Sequence, residues 1–305
     1  MWACPSLKSY LFLFCYFVTT QIAHVALASD HSSRDPGLHD LGFQRRLLAA
    51  ARLLKSVPSG QRIISKALSS WKLTDEIELF KVLKPSNVSR TDAVLTRHYD
   101  PENGSETIER SISVHLKAVQ PVQDLVLDMA HELTHASSPP TWDPYDPDLT
   151  VGKYIEAALE GKGGEVDALI SECQVSLELS EKLGFSASRC TTYLDEDSHL
   201  VREKVQRDFY RVGKWHERVL KNLKEEITLF PLLSEDKPSL YSSTGRTPYP
   251  FALVEEFNEI THIACENSRK RLLRGSVAGV DQLKTAAKAV RFLASRCGIS
   301  SGPEY

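Results

Sequence analysis

His131-Glu132-Leu133-Thr134-His135 is a stretch of the chain whose residue types and spacing carry a reaction on their own. Residues four apart share one face of a helix, so His131 and His135 can present two imidazoles to a single metal ion. Glu132 sits one position further round, beside the metal rather than on it. A carboxylate there polarises a metal-bound water and takes up its proton.

The flanking residues fit such a helix. Val122, Val126, Met129 and Leu133 form an apolar stripe, and Asp124, Asp128, His131 and His135 share the opposite face. Pro121 suits the first turn, and Pro139-Pro140 stops the helix after about Ala136. Just upstream, Ile112, Val114 and Leu116 alternate with Ser111, Ser113 and His115, the signature of a half-buried strand. Ala93–Tyr99 reads as a second strand, with Asn103-Gly104 as a turn signal between the two.

Met129-Ala130-His131-Glu132-Leu133-Thr134-His135-Ala136 resembles the active-site helix of the zincin metallopeptidases, and HELTH is the form found in thermolysin-like enzymes. The resemblance covers this helix and, more weakly, the strand before it and the helix after it. It implies zinc held by His131 and His135, with Glu132 as general base in peptide-bond hydrolysis. It also implies that the preceding strand, Ser111 to Lys117, holds an extended peptide substrate along its edge.

A third protein ligand is needed. Metzincins place a histidine where this chain has Thr141 and require a methionine turn, but no methionine follows Met129. Gluzincins instead take a glutamate from a second helix, and Glu156, Glu160 and Glu165 lie in the right region. On a continuous helix Glu165 lies about 140° from Glu160, so only one of them can face the metal. Gly163-Gly164 would let a helix starting at Glu165 come close to the histidine helix. Glu165 is therefore preferred, with Glu160 or an aspartate of the 143–148 loop as alternatives. The family's aspartate four residues after the ligand glutamate is replaced by Leu169, leaving Asp167 as a candidate partner for a ligand histidine. Tyr154 and His262 are candidate oxyanion donors, whereas His216, on an apolar stripe, reads as a boundary histidine.

These residues need elements to position them. Helical spacing predicts Gly42–Ser56, Ile63–Trp71, Val151–Leu183 loosened at Gly161, Gly163 and Gly164, Leu200–Glu226, Phe251–Leu273 and Asp281–Arg296. The fold class is α+β: a mainly helical, zincin-like domain with a small antiparallel sheet before the active-site helix. Residues 42–305 read as one domain with a helical C-terminal lobe from about 200, after a polar leader over 29–41. Residues 1–28 read as a cleaved signal peptide, with Lys8, an apolar run from Tyr10 to Val18 and Ala26-Leu27-Ala28. That places the mature chain outside the cytoplasm, secreted or periplasmic, with no membrane contact after cleavage.

Composition narrows the rest. With 37 basic and 40 acidic residues and 42% hydrophobic residues, the 305-residue chain is neither disordered nor fibrous. Its net charge of −3, falling to −4 once Lys8 is removed, gives no footprint for nucleic acid. The expected partner is a peptide or protein substrate. Cleavage leaves Cys173, Cys190, Cys265 and Cys297, an even number consistent with two disulfides. Of three connectivities, nearest-neighbour pairing is expected, since it ties adjacent helical segments. Asn87-Val88-Ser89 and Asn103-Gly104-Ser105 are glycosylation sequons. The leading expectation is an exported zinc-dependent peptidase; the alternative is a secreted helical binding module with a structural or catalytically silent metal site.

Overall fold

The computed structural model describes residues 36–99, 106–138, 140, 142–243, 246–275 and 290–298. The expected signal segment, residues 29–35 of the leader, the Asn103-Gly104 turn and residues 281–289 of the last expected helix lie outside these. In chain order the elements are α1 (Pro36–Lys55), α2 (Pro58–Trp71), α3 (Glu76–Val82), β1 (Leu83–Ser86), β2 (Arg90–Tyr99), β3 (Glu106–Lys117) and α4 (Val122–Ala136). Then come α5 (Val151–Leu159), α6 (Glu165–Leu183), α7 (Arg202–Phe209), α8 (His216–Leu223) and α9 (Tyr249–Gly275). The fold is α+β and mainly helical, as the sequence pattern predicts.

The sheet departs from expectation in two ways. Its order is β1-β3-β2, with β1 parallel and β2 antiparallel to β3, so it is mixed rather than antiparallel. Leu83 pairs with Val114 on one side of β3, and Thr91 pairs with Val114 on the other. Strand β3, expected to offer an open edge at Ser111–Lys117, is thus the central strand. It is paired on both sides at Val114 and His115, whereas Glu106–Ser113 pairs with β2 alone. Among the described strands the free edges belong to β1, β2 and the Glu106–Ser113 stretch of β3 on its β1 side. Pro85 in β1 suits that edge, because a proline donates no ladder bond.

Two apolar cores meet along α6. The N-terminal core packs Phe43, Leu47 and Leu54 of α1, Ile64 of α2 and Val114 of β3 against Leu125, Met129 and Leu133 of α4. The other packs Tyr154 and Ile155 of α5, Phe209 of α7, Val219 of α8 and Val254 and Phe257 of α9. Helix α6 serves both, giving Val166 and Leu169 to the C-terminal core and Val175 and Leu179 to the N-terminal one. Its Glu178 accepts from the Ser59 N–H at 2.9 Å and Ser59 hydroxyl at 2.6 Å, satisfying donors at the start of α2. The seam between the cores is where α4 and the start of α6 meet.

The expected 200–226 helix is broken. Helix α7 ends at Phe209, a 3₁₀ turn through Gly213 (φ 53°) leads into α8, and Lys224 (φ 51°) ends α8. Val205, Phe209, Val212, Val219 and Leu223 are nevertheless all buried. Cys173–Cys190 and Cys265–Cys297 form the two disulfides, the nearest-neighbour pairing. They fit an oxidising, extracellular type of environment. No described helix is long and apolar enough to cross a membrane.

Candidate metal centre

Helix α4 presents its motif from a rigid base. Leu125, Val126, Met129, Ala130, Leu133 and Ala136 are fully buried, so the helix cannot rotate without exposing apolar surface. Its C-terminal carbonyls are pinned by α2: Trp71 Nε1 donates to Ala136 O at 3.1 Å and Ser70 Oγ to Ser137 O at 2.8 Å. On the remaining face the His131 and His135 rings stand edge to face with centroids 4.9 Å apart.

Glu165 reaches them through a glycine turn. After α5 ends, Gly163 takes φ 73° and lies so close to α4 that a Cβ there would sit 2.4 Å from Ser138 Cβ. Gly164 then starts α6 with Glu165 as its first residue. Glycine is needed at 163 both for the left-handed backbone and for the close approach. Glu165 Oε2 lies 3.4 Å from His131 Nε2, and Oε1 lies 3.7 Å from His135 Nε2. One ligand atom from each residue falls within 4.8 Å of the others, the metal-binding arrangement present among the described residues.

The set fits a small divalent ion. Ligands about 2.0–2.1 Å from a tetrahedral centre are roughly 3.3–3.4 Å apart, close to the separations seen here. Glu165 Oε2 is buried without a hydrogen-bond partner, a cost that an ion would remove. Side-chain exposures of 17%, 19% and 21% for His131, His135 and Glu165 leave the cluster sheltered yet open to solvent on one side.

Both rings are turned for ligation by what holds their other nitrogen. His135 Nδ1 is 2.7 Å from Gly163 O, which can only accept, so Nδ1 donates to it and Nε2 is the nitrogen turned toward the cluster. His131 Nδ1 is 3.2 Å from Glu172 Oε2, with the same result. Without an ion, burial disfavours charge on both imidazoles, but contact with Glu165, and with Glu172 for His131, outweighs it. The His131 pKa is raised well above its ordinary value and that of His135 is raised too. Burial would also raise Glu165, but the charges and contacts of the two histidines hold it well below the usual carboxylate range.

Glu132 is buried beside the cluster, not in it. Thr91 Oγ1 of β2 donates to its Oε2 at 2.8 Å. Burial pushes its pKa up, against the charges of His131 and His135 and the Thr91 hydrogen bond. A further group lies here: Tyr249, which opens α9 and packs its ring on Phe209 at 4.9 Å. Burial, then the charges of Glu165 and Glu132, keep its phenol protonated far above neutrality, so its hydroxyl retains a proton to donate, here to Glu165.

No protein-family model, curated protein or solved structure matches the chain. What the site can do is therefore read from its own atoms.

Several expected residues are placed elsewhere. Glu160 points to the C-terminal core, where Tyr210 Oη and Gln206 Nε2 each donate to it at 2.6 Å. Asp167 accepts from the Gly163 N–H at 2.9 Å and pairs with Arg202, so it braces the turn instead of touching a histidine. Asp143 pairs with Arg97, and Asp148 with Arg291. Tyr154 is buried between Trp142 and Phe257, with its hydroxyl bonded to Glu256. His262, 72% exposed, pairs with Glu266 on the outside of α9 and faces away from the core. His216 is a boundary residue paired with Glu235 at 3.1 Å.

Two residues escaped the sequence pattern. Glu172 lies two turns after Glu165, and i,i+7 spacing puts both on one face of α6. That spacing was a usable signal. Tyr249 gave none, since only the path of α9 brings it to the site.

Proposed function

We propose that the protein is an exported, zinc-dependent peptidase. The observation that carries this is the convergence of His131 Nε2, His135 Nε2 and the Glu165 carboxylate, with the buried Glu132 carboxylate next to them. Two imidazoles and one carboxylate suit zinc with an open fourth position. A zinc ion bound there supplies a Lewis acid and an acidified water. The chain supplies the rest. Glu132, held by Thr91 and raised in pKa by burial, takes the proton of the attacking water and returns it to the leaving amine. The protonated Tyr249 phenol is a hydrogen-bond donor for negative charge developing on the substrate carbonyl oxygen. Strand β2, whose Thr91 touches Glu132 and whose outer edge is open among the described strands, is the edge for an extended peptide.

The test is metal analysis together with hydrolysis of a mixed peptide library. Glu132→Gln should retain zinc and lose roughly 10²–10⁴-fold in rate. A wild-type protein that holds zinc but cleaves nothing would favour a secreted binding module with a silent metal site.

A further inference from the structure

The disulfide nearest the metal centre joins the residues that follow two members of a chain of contacts ending on a ligand. Glu172 precedes Cys173, and Arg189 precedes Cys190. Glu172 Oε2 lies 3.2 Å from His131 Nδ1, and its Oε1 lies 3.5 Å from Arg189 Nη2. Beyond Gly184 the chain leaves α6 as a loop exposed for most of its length, until Cys190, which is 1% exposed. Covalent attachment of Cys190 to Cys173 brings Arg189 back over Glu172.

We propose that Glu172 is a positioning residue for His131, and that the Cys173–Cys190 disulfide keeps it so by holding Arg189 against it. Breaking the disulfide therefore loosens the metal centre. This rests on the metal-binding reading above. The Glu172 side chain is 8% exposed, so its carboxylate is short of water and needs its two partners. Arg189 is 69% exposed, and its ion pair by itself is worth little to folding. Its effect is to fix which way Glu172 points. With Oε1 held by Arg189, Oε2 stays on Nδ1, and His131 Nε2 stays directed into the cluster toward Glu165. Partners of this kind typically change metal affinity by roughly 10–100-fold.

The test measures zinc affinity by competition with a chromophoric chelator, and the visible spectrum of the cobalt-substituted protein. Glu172→Ala should weaken zinc by roughly 10–100-fold, and Glu172→Gln, which keeps an acceptor, by less. Arg189→Ala and the double change Cys173→Ser/Cys190→Ser should each weaken it several-fold and alter the cobalt bands, with Arg189→Lys restoring part of the loss. Combining Arg189→Ala with the double change should cost no more than either alone, because both act through Glu172. Cys265→Ser/Cys297→Ser should leave zinc affinity unchanged. Should the Cys173/Cys190 variant fail to fold, the Glu172 and Arg189 variants, with both disulfides intact, still decide. Wild-type protein that binds no zinc overturns the metal reading itself. Zinc bound equally well by wild type, Glu172→Gln and Arg189→Ala overturns this inference alone.

Discussion

Glu165 and Glu160 are five residues apart and chemically identical, yet only one of them should matter to zinc. Glu165→Ala takes away one of three protein ligands. Structural zinc sites bind with about 10–16 kcal/mol, so one of four coordination positions is worth roughly 3–4 kcal/mol, or 10²–10³-fold in Kd. The fold should lose some stability as well, because the change strips His131 and His135 of the carboxylate they contact at 3.4 Å and 3.7 Å. Glu160→Ala instead strands the Tyr210 hydroxyl and the Gln206 amide, each of which donates to it at 2.6 Å. An unsatisfied buried group costs about 1–3 kcal/mol, and a domain of this size loses roughly 2–4 °C in Tm per kcal/mol. The assay pairs zinc titration with thermal melting in chelator. Glu165→Ala should lose zinc, whereas Glu160→Ala should keep zinc and melt several degrees lower. Zinc loss from Glu160→Ala with retention in Glu165→Ala would refute the assignment of the third ligand.

Gly163→Ala should both destabilise the protein and weaken zinc, because its Cβ would meet Ser138 Cβ at 2.4 Å and displace the carbonyl that orients His135. Gly184→Ala, at φ 71° but in open space, should cost only about 1 kcal/mol of backbone strain and leave zinc untouched; equal zinc affinities in the two variants would count against the turn's role. Zinc affinity should climb with pH below the raised pKa values of His131 and His135 and level off above them, since the ion must displace their protons. Calorimetry in buffers of different ionisation heat should register that proton release, and a pH-independent affinity near neutrality would contradict it. Burial pushes Glu256 up to about 7, so its protonated form stabilises the fold at low pH, and this contribution is lost as pH rises through that value. Glu256→Gln should therefore gain stability over wild type above about pH 7, by at most roughly 3 kcal/mol, and show no gain near pH 4; a gain independent of pH would remove the reasoning.

The site was legible where local chemistry dictates position. The two histidines of α4 announce themselves by spacing. Gly163-Gly164 correctly marks the point where α6 meets α4, because close approach needs missing side chains wherever it occurs. Glu172 is not signalled by the family pattern, which points to position 169, a core leucine here. Tyr249 depends on how α9 crosses the seam, and no local spacing encodes a crossing. The sheet illustrates a further limit. Alternation in β3 reports that one face is buried, which holds for central and edge strands alike, so an edge could not be told from a centre. The 200–226 segment fails for a related reason: an apolar stripe survives a break in the backbone, and Lys224 carries no residue-type warning of its φ of 51°.

On the proposed reading, His131, His135 and Glu165 hold one zinc ion as a catalytic centre. X-ray absorption spectroscopy at the zinc edge on purified, zinc-loaded protein tests its metal half most directly, read beside the zinc content of each single-ligand variant. The expected result is one zinc per chain, bound by two imidazoles and by oxygen ligands at about 2.0–2.2 Å, with the ion lost on chelation and poorly held by His131→Ala, His135→Ala and Glu165→Ala. A protein that takes up no zinc, or whose zinc keeps both imidazoles when His131 or His135 is replaced, would contradict it.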